Sequence, residues 1–510
     1  MIGTAGNIRG VVFDLDGTLI DSEPNYREVD VRFLRSKGIE LSDEEWDEVV
    51  GMGGAPFVDF LRERHGLDAD AGAFVTEKDD LYLEYARGRT KAFPISVELV
   101  RYCHVHGLAL AVGTSSRRRV LHRVLEETRL ARYFAASVAG DEVSRAKPHP
   151  DTFLEAARRL GVNPRACLVI EDSQHGVEAA RRAGMRSVAV PATSTSGRPW
   201  FDSAELVFPG GPPNVDFAAV AGLPGMPAAA RGGERGALPL VDAQTAERFR
   251  SVVWDHYAGA SRSMPWRETD DAYRILVSEF MLQQTQVARV LPKYKAFIER
   301  FPTVADLASA SLQDVLTLWQ GLGYNRRGRN LREAARVIVE RFGARVPSDV
   351  ADLQSLPGVG PYTASAVAAF AYRAPVTVLE TNIRRLLIHF FFPFAEAVAD
   401  RELEPLLAAV LPPDRVREWY YALMDYGAML GRLLPNANRR SASYAKQSPF
   451  AGSVREVRGR IVRALSGAPD LSIEELETSI GPTDERFEPA LEGLERDGLI
   501  VVEGRRVTLR

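Results

Sequence analysis

Residues 356–365 read LPGVGPYTAS. Gly358 and Gly360 flank Val359 and allow a tight backbone turn, and the amides entering the next helix point outward, which suits a phosphate oxygen. Any helix–helix turn can use such a Gly-x-Gly, so its neighbours decide its meaning. On its N-terminal side, VADLASASLQDVLTLWQGLGY and NLREAARVIVERFG carry apolar residues at helical period, and this half of the chain reads as all-α. From about Ser453 three short helical patterns precede LIVVEGRRVTLR, an alternating strand pair turning at Gly504, which suggests a small winged-helix-like segment. Between about residues 209 and 240 Pro, Gly and Ala displace periodic apolar residues, as in a linker. Before it, VVFDLD, LALAVGTSS, CLVIED and RSVAVPA alternate with helical patterns, the signature of a parallel sheet with crossover helices. The expected division is an α/β domain over 1–220, a linker at 221–241, an all-α domain over 242–452 and the winged-helix-like segment over 453–510.

Composition narrows the function classes. At 510 residues the chain has room for three or four domains, and 45% hydrophobic with 26% charged residues is the balance of a soluble globular protein. No apolar run is long enough to span a membrane, and MIGTAGNIRG lacks the pattern of a secretory signal. With only Cys103 and Cys167, a reducing cytoplasm is the expected location, and a monomer the expected state. A net charge of −4 means that any nucleic-acid contact must come from local basic patches.

In the first half, the strand VVFDLDGT ends in Asp14 and Asp16 on one side, at the carboxyl end where open α/β sheets bind ligands. One carboxylate can attack phosphorus while its neighbour handles the leaving-group proton, and a divalent cation relieves their repulsion. The next strands end in Thr114 and Ser115 and in Glu171 and Asp172, and AKPHPD supplies Lys147. A hydroxyl, a lysine and further acids at strand ends are what a bound phosphate and Mg²⁺ require. In this order the set resembles the haloacid dehalogenase (HAD) superfamily over about residues 9–220. The resemblance implies a Rossmann-like domain with a helical cap at about 24–95 and a Mg²⁺-dependent phosphatase of a small phosphorylated metabolite. It implies Asp14 as nucleophile and Asp16 as general acid/base, with Thr114, Ser115 and Lys147 on phosphate. Asp172, Asp14 and Asp16 would hold Mg²⁺, with Glu171 in support. Many relatives have His where DSEPNY places Tyr26, which favours simple hydrolysis over phosphosugar transfer.

Around the glycine turn, MPWRETDDAYRILVSEFMLQQTQVARV, LWQGLGYNRRGRNL and VTVLETNIRR together resemble the helix-hairpin-helix DNA glycosylases, most of all the MutY-type adenine DNA glycosylases, over about residues 242–450. The resemblance implies extrusion of adenine from a mispair in double-stranded DNA and cleavage of its glycosidic bond. Glu279 matches the acid that protonates the leaving base. Glu380 falls where the family has Asp, a carboxylate that stabilises the oxocarbenium ion; a charge at a helix start is the alternative. Bifunctional relatives have Lys at position 362, and Tyr362 cannot form their Schiff base, so no lyase activity is expected. Gln283 and Tyr324 match wedge residues, Gly358, Gly360, Tyr362 and Asn382 match DNA-contacting positions, and Arg326, Arg327 and Arg329 are candidates to neutralise phosphates.

Two family features are missing. YGAMLGRLLPNANRRSASYAKQSPF contains no cysteine, with Gly431 about where the first would fall, so no iron–sulfur cluster is expected. Arg439, Arg440 and Lys446 either take over DNA contacts there or form a packed polar tail. The domain that reads 8-oxoguanine is replaced by the winged-helix-like segment, which either contacts DNA or packs. The expected function is removal of adenine opposite 8-oxoguanine or guanine, with a thymine or uracil mismatch glycosylase and a damage-sensing DNA binder as alternatives.

Overall fold

The computed structural model describes residues 7–49, 54–192, 199–227, 241–444, 450–481 and 485–510. Most of the expected linker, 228–240, lies outside the described residues, as does Lys446. The start of the Pro/Gly-rich stretch is folded, with a short helix at Phe217–Ala221 capped by Asp216. The chain forms two compact units, one of Met1–Val252, Leu386–Val398 and Met429–Arg440, the other of Val253–Arg385, Ala399–Ala428 and Ser441–Arg510. Three stretches of the helical half, 242–252, 386–398 and 429–440, therefore pack into the first unit. The aromatic run at 390–392 contributes to this: Phe390 O lies 2.9 Å from His106 Nε2, and the rings of Phe390 and Phe391 are about 5 Å from that of Phe249.

The first unit is built on a six-stranded parallel sheet. Its strands are β1 (Gly10–Phe13), β2 (Ala109–Gly113), β3 (Ala136–Val138), β4 (Cys167–Glu171), β5 (Arg186–Ala189) and β6 (Leu206–Val207), in the order β3-β2-β1-β4-β5-β6. Buried Val12, Ala111, Val138 and Val169 line one face and pack on Phe153, Ala156, Ala179 and Ala180 of crossover helices. Strands apolar on both faces read as unbroken runs, which is why these segments stand out in the sequence. Between β1 and β2 the helices Glu23–Ser36, Asp43–Val49, Gly54–His65 and Ala71–Tyr85 enclose a core of their own, including Phe33, Leu34, Phe57, Leu61 and Phe74.

In the second unit the glycine turn joins Val350–Gln354 to Pro361–Tyr372. Gly358 has φ +77°, and a Cβ there would meet Asn330 Cβ at 2.7 Å and Phe280 at 3.0 Å. Both the left-handed backbone and the close approach demand glycine. A Cβ on Gly360 would meet nothing within 4 Å, so the backbone there faces open space. The C-terminal segment adds a strand that the sequence pattern did not reveal, β7 (Asp470–Ser472), which pairs with β9 (Arg506–Leu509), itself paired with β8 (Ile500–Glu503). Its helices Val454–Gly467, Ile473–Ile480 and Phe487–Arg496 share one core with Leu312 and Leu316. The segment is thereby docked on the helix Leu312–Trp319. Among the described residues no helix is long and apolar enough to cross a membrane.

Candidate active sites

The carboxyl ends of β1 and β4 meet at a buried charge cluster. Lys147 is inserted between two acids, its Nζ donating to Asp14 Oδ1 at 2.5 Å and to Glu171 Oε1 at 2.7 Å, with only 4% of its side chain exposed. Asp14, Glu171 and Asp172 bring carboxylate oxygens within 4.8 Å of one another. Burial first, then repulsion from Glu171 and Asp14, holds the Asp172 carboxyl well above its ordinary range. Burial likewise raises Asp14, with Lys147 opposing and Glu171 and Asp16 adding to the rise. Burial alone would lower Lys147, but the two acids outweigh it and keep the ammonium charged. An all-oxygen set of crowded acids suits a hard divalent cation such as Mg²⁺, the ion typical of HAD enzymes.

Asp16 stands beside the group of Asp14, Glu171 and Asp172, its Oδ2 accepting from Ser116 Oγ at 2.6 Å. Ser115 is exposed, whereas Thr114 is buried and accepts the Ser116 amide at 3.0 Å, so Ser116 is the hydroxyl that the loop turns toward the acids. Tyr26 OH lies 3.2 Å from Ser116 Oγ, and its ring stacks on Tyr82 at 4.1 Å.

In the second unit Glu279 sits on the buried helix Ala272–Leu282 at 5% exposure. Burial pushes its carboxyl up to about 7; hydrogen bonding with Tyr362 opposes this, and the nearby Glu380 adds to it. Arg267, which acts on Glu279 electrostatically, is itself locked by a two-pronged pair with Asp425, both contacts 2.9 Å. Glu380 is half-buried and caps the helix Thr381–Phe391: its Oε1 accepts the amides of Asn382 at 2.8 Å and Ile383 at 2.9 Å. The extra methylene relative to Asp is thus folded back onto the helix end. Burial raises the Glu380 carboxyl while those amides, Arg385 and Arg384 pull it down. Asn382 is fixed by Arg385, which donates to its Oδ1 at 2.8 Å and to Gly427 O at 2.7 Å. A Cβ on Gly427 would strike Asn382 O at 2.0 Å, so only glycine permits that approach.

The expected wedge residues occupy two strained loops, Gln284 and Tyr324 both having left-handed φ, +53° and +48°. Gln283 Nε2 donates to Thr363 Oγ1 at 3.1 Å, joining one loop to the hairpin helix. Arg327 is not a phosphate contact. It is buried, with Nη1 donating to Phe280 O and Met281 O at 2.9 and 3.1 Å and to Gln283 O, and Nη2 donating to Thr285 Oγ1, Leu322 O and Gly323 O at 2.9–3.1 Å. It clamps both loops together. Arg329 donates to Asp497 O and is likewise engaged, while Arg326 is exposed.

Sequence comparisons match both halves of the chain to known proteins. The haloacid dehalogenase-like hydrolase family model matches residues 8–184, and that of HhH-GPD superfamily base excision DNA repair proteins matches 277–412. An adenine DNA glycosylase of Mycolicibacterium smegmatis is 41% identical over 226 residues, 41% of this chain and 77% of the relative. That of Mycobacterium tuberculosis is 37% identical over 277 residues, 50% of this chain and 90% of the relative. The chain belongs to the adenine DNA glycosylase family. Here the glycosylase is fused to an N-terminal HAD hydrolase domain. Among solved structures, CbbY from Rhodobacter sphaeroides in complex with phosphate is 26% identical, with a TM-score of 0.36 over 39% of this chain and 93% of that one.

Several positions in the glycosylase and its fused hydrolase carried no clear sequence signal. Ser116 is one of two adjacent serines, and only the loop geometry separates them. Asp425 lies in a helix far along the chain, and nothing in its local pattern predicts a pair with Arg267.

Proposed function

We propose that the chain removes adenine mispaired with 8-oxoguanine or guanine and leaves an abasic site on an intact strand, while its N-terminal domain hydrolyses a small phosphomonoester. The observation that carries the first part is a buried Glu279 with its carboxyl near neutrality, beside Tyr362 and a second carboxylate, Glu380. A carboxyl poised near 7 is protonated often enough to give its proton to a ring nitrogen of the extruded base, which makes adenine a competent leaving group. As the glycosidic bond breaks, positive charge develops on the sugar, and Glu380 faces it with a carboxylate whose ionised form the two helix amides favour. The phenol of Tyr362 offers no amine for attack on the sugar, so the strand is not cut. Gln283 and Tyr324, braced by Arg327, fill the stack as the base leaves it.

In the hydrolase domain Asp14 attacks phosphorus, and Asp16, held by Ser116, transfers the leaving-group proton. Asp14, Glu171 and Asp172 would hold Mg²⁺, which when bound neutralises charge on the phosphoryl oxygens. Lys147 adds a fixed positive charge at the same place. Fusion to a repair enzyme favours a substrate arising from oxidative damage, and phosphoglycolate fits.

The glycosylase is tested by base release from duplexes with adenine opposite 8-oxoguanine, guanine or cytosine and thymine opposite guanine, with nicking scored before and after alkali. Adenine release opposite 8-oxoguanine, with nicking only after alkali, is expected. Release of thymine alone, or nicking without alkali, contradicts the proposal.

A further inference from the structure

A cleft of about 880 Å³ opens between the two wedge loops and the helix Val454–Gly467 of the winged-helix-like segment. Five arginines line it besides the inward-turned Arg327, and Asp497 is the sole carboxylate among its lining residues. That carboxylate already binds Arg458 and lies 3.5 Å from Arg326, so the lining as a whole is strongly positive. Arg289, Arg326 and Arg463 are exposed, and the cleft carries the two exposed aromatics Tyr324 and Phe450 at 41% and 59%. A Cβ on Gly459 would meet nothing within 4 Å, which leaves that wall open. The segment is held in register with the wedge: Arg455 Nη1 donates to Tyr324 OH at 2.9 Å, and Gln313 Nε2 donates to Ser466 O at 3.0 Å.

We infer that this cleft receives the sugar–phosphate backbone of the DNA strand opposite the adenine, with the winged-helix-like segment supplying half of its contacts. The inference rests on the proposal that the chain acts on duplex DNA. Gln283 lines the cleft and also bonds Thr363 at the start of the hairpin helix, while neither Glu279, Glu380 nor the glycine turn belongs to the cleft. The wedge therefore separates two sites. A residue inserted between paired strands has one strand on each side, and the extruded adenine goes to the Glu279 side. The other side carries a dense array of guanidinium groups, the chemistry that binds phosphates without regard to sequence. Arg455 and Arg463, from the segment itself, are the residues that assign it a share of the contact.

The test is binding of labelled duplex, matched and with adenine opposite 8-oxoguanine, to full-length protein carrying Glu279→Gln, at salt from roughly 50 to 200 mM. Arg455→Ala combined with Arg463→Ala is expected to weaken both duplexes alike, by about tenfold or more, and to flatten the slope of log affinity against log salt by about two. Arg455→Lys with Arg463→Lys keeps the charges and is expected to restore most of the loss. Arg181→Ala, on the hydrolase surface, is the control and leaves binding unchanged. Unaltered affinity and slope in the double alanine variant overturn the inference and leave the glycosylase proposal standing. A loss confined to the mispaired duplex overturns it in favour of base recognition. No binding of either duplex by the parent protein overturns the DNA proposal as well.

Discussion

Replacing Glu279 by Gln should stabilise the helical unit while abolishing its chemistry. The folded protein raises the Glu279 carboxyl from an ordinary 4.5 to about 7, mainly by burial. At about 1.4 kcal/mol per tenfold change in proton affinity, this amounts to about 3 kcal/mol. Because the folded state holds the proton more tightly, wild-type stability falls as pH rises from the unfolded value through the folded one. Below pH 4.5 the acid is neutral in both states and Gln brings no advantage. Above 7 the wild type keeps a buried charge and the variant does not. Glu279→Gln should therefore be more stable by about 3 kcal/mol at roughly pH 8 and by no more than about 1 kcal/mol at roughly pH 5. Urea unfolding followed by tryptophan fluorescence measures it, since Trp254, Trp266, Trp319 and Trp419 lie in the helical unit. Base release should drop by about a hundredfold or more, and in the wild type it should decline as pH rises through about 7. Equal stabilities at both pH values, or a less stable variant at the higher one, would contradict a buried Glu279 carboxyl raised on folding.

Further expectations follow from the same structure. Arg327→Ala should cost about 3 kcal/mol or more in unfolding free energy, because it removes six hydrogen bonds that tie the end of the helix Ala272–Leu282 to two strained loops, while Arg326→Ala should change stability by less than about 0.5 kcal/mol. Glu380→Asp should retain the helix cap and base release within about tenfold, whereas Glu380→Ala should lose release by about a hundredfold, as measured in single-turnover assays. Lys147→Ala leaves three crowded acids without their cation, and should lower the melting point of the hydrolase unit at neutral pH; Mg²⁺ should restore much of the loss.

The parallel sheet and its site acids are legible because strand ends interrupt unbroken apolar runs with Asp14, Asp16, Glu171 and Asp172. Glu279 stands out for a related reason, the one acid in a mostly apolar helix. Arg327 is the contrary case. In NRRGR it reads as one of a basic run, and only the folded chain shows that it faces six acceptors inside while Arg326 faces out. Helical period distinguishes neighbours by about 100° of rotation, and a short run of like residues hides which one turns inward. Glu380 shows a different gap: local spacing places a carboxylate before a helix, but whether it folds back as a cap depends on side-chain torsions. The strand β7 escaped because three residues, DLS, are too short for a period to appear.

The two matched domains predict two separate catalytic sites in one chain. Full-length wild type, Glu279→Gln and Asp14→Asn should be assayed side by side for adenine release from a mispair with 8-oxoguanine and for phosphate release from a panel of small phosphomonoesters with Mg²⁺. Each substitution is predicted to abolish one activity and leave the other within about twofold, since the two sites share no residue. Loss of both activities in either variant, or survival of base release in Glu279→Gln, would contradict the account.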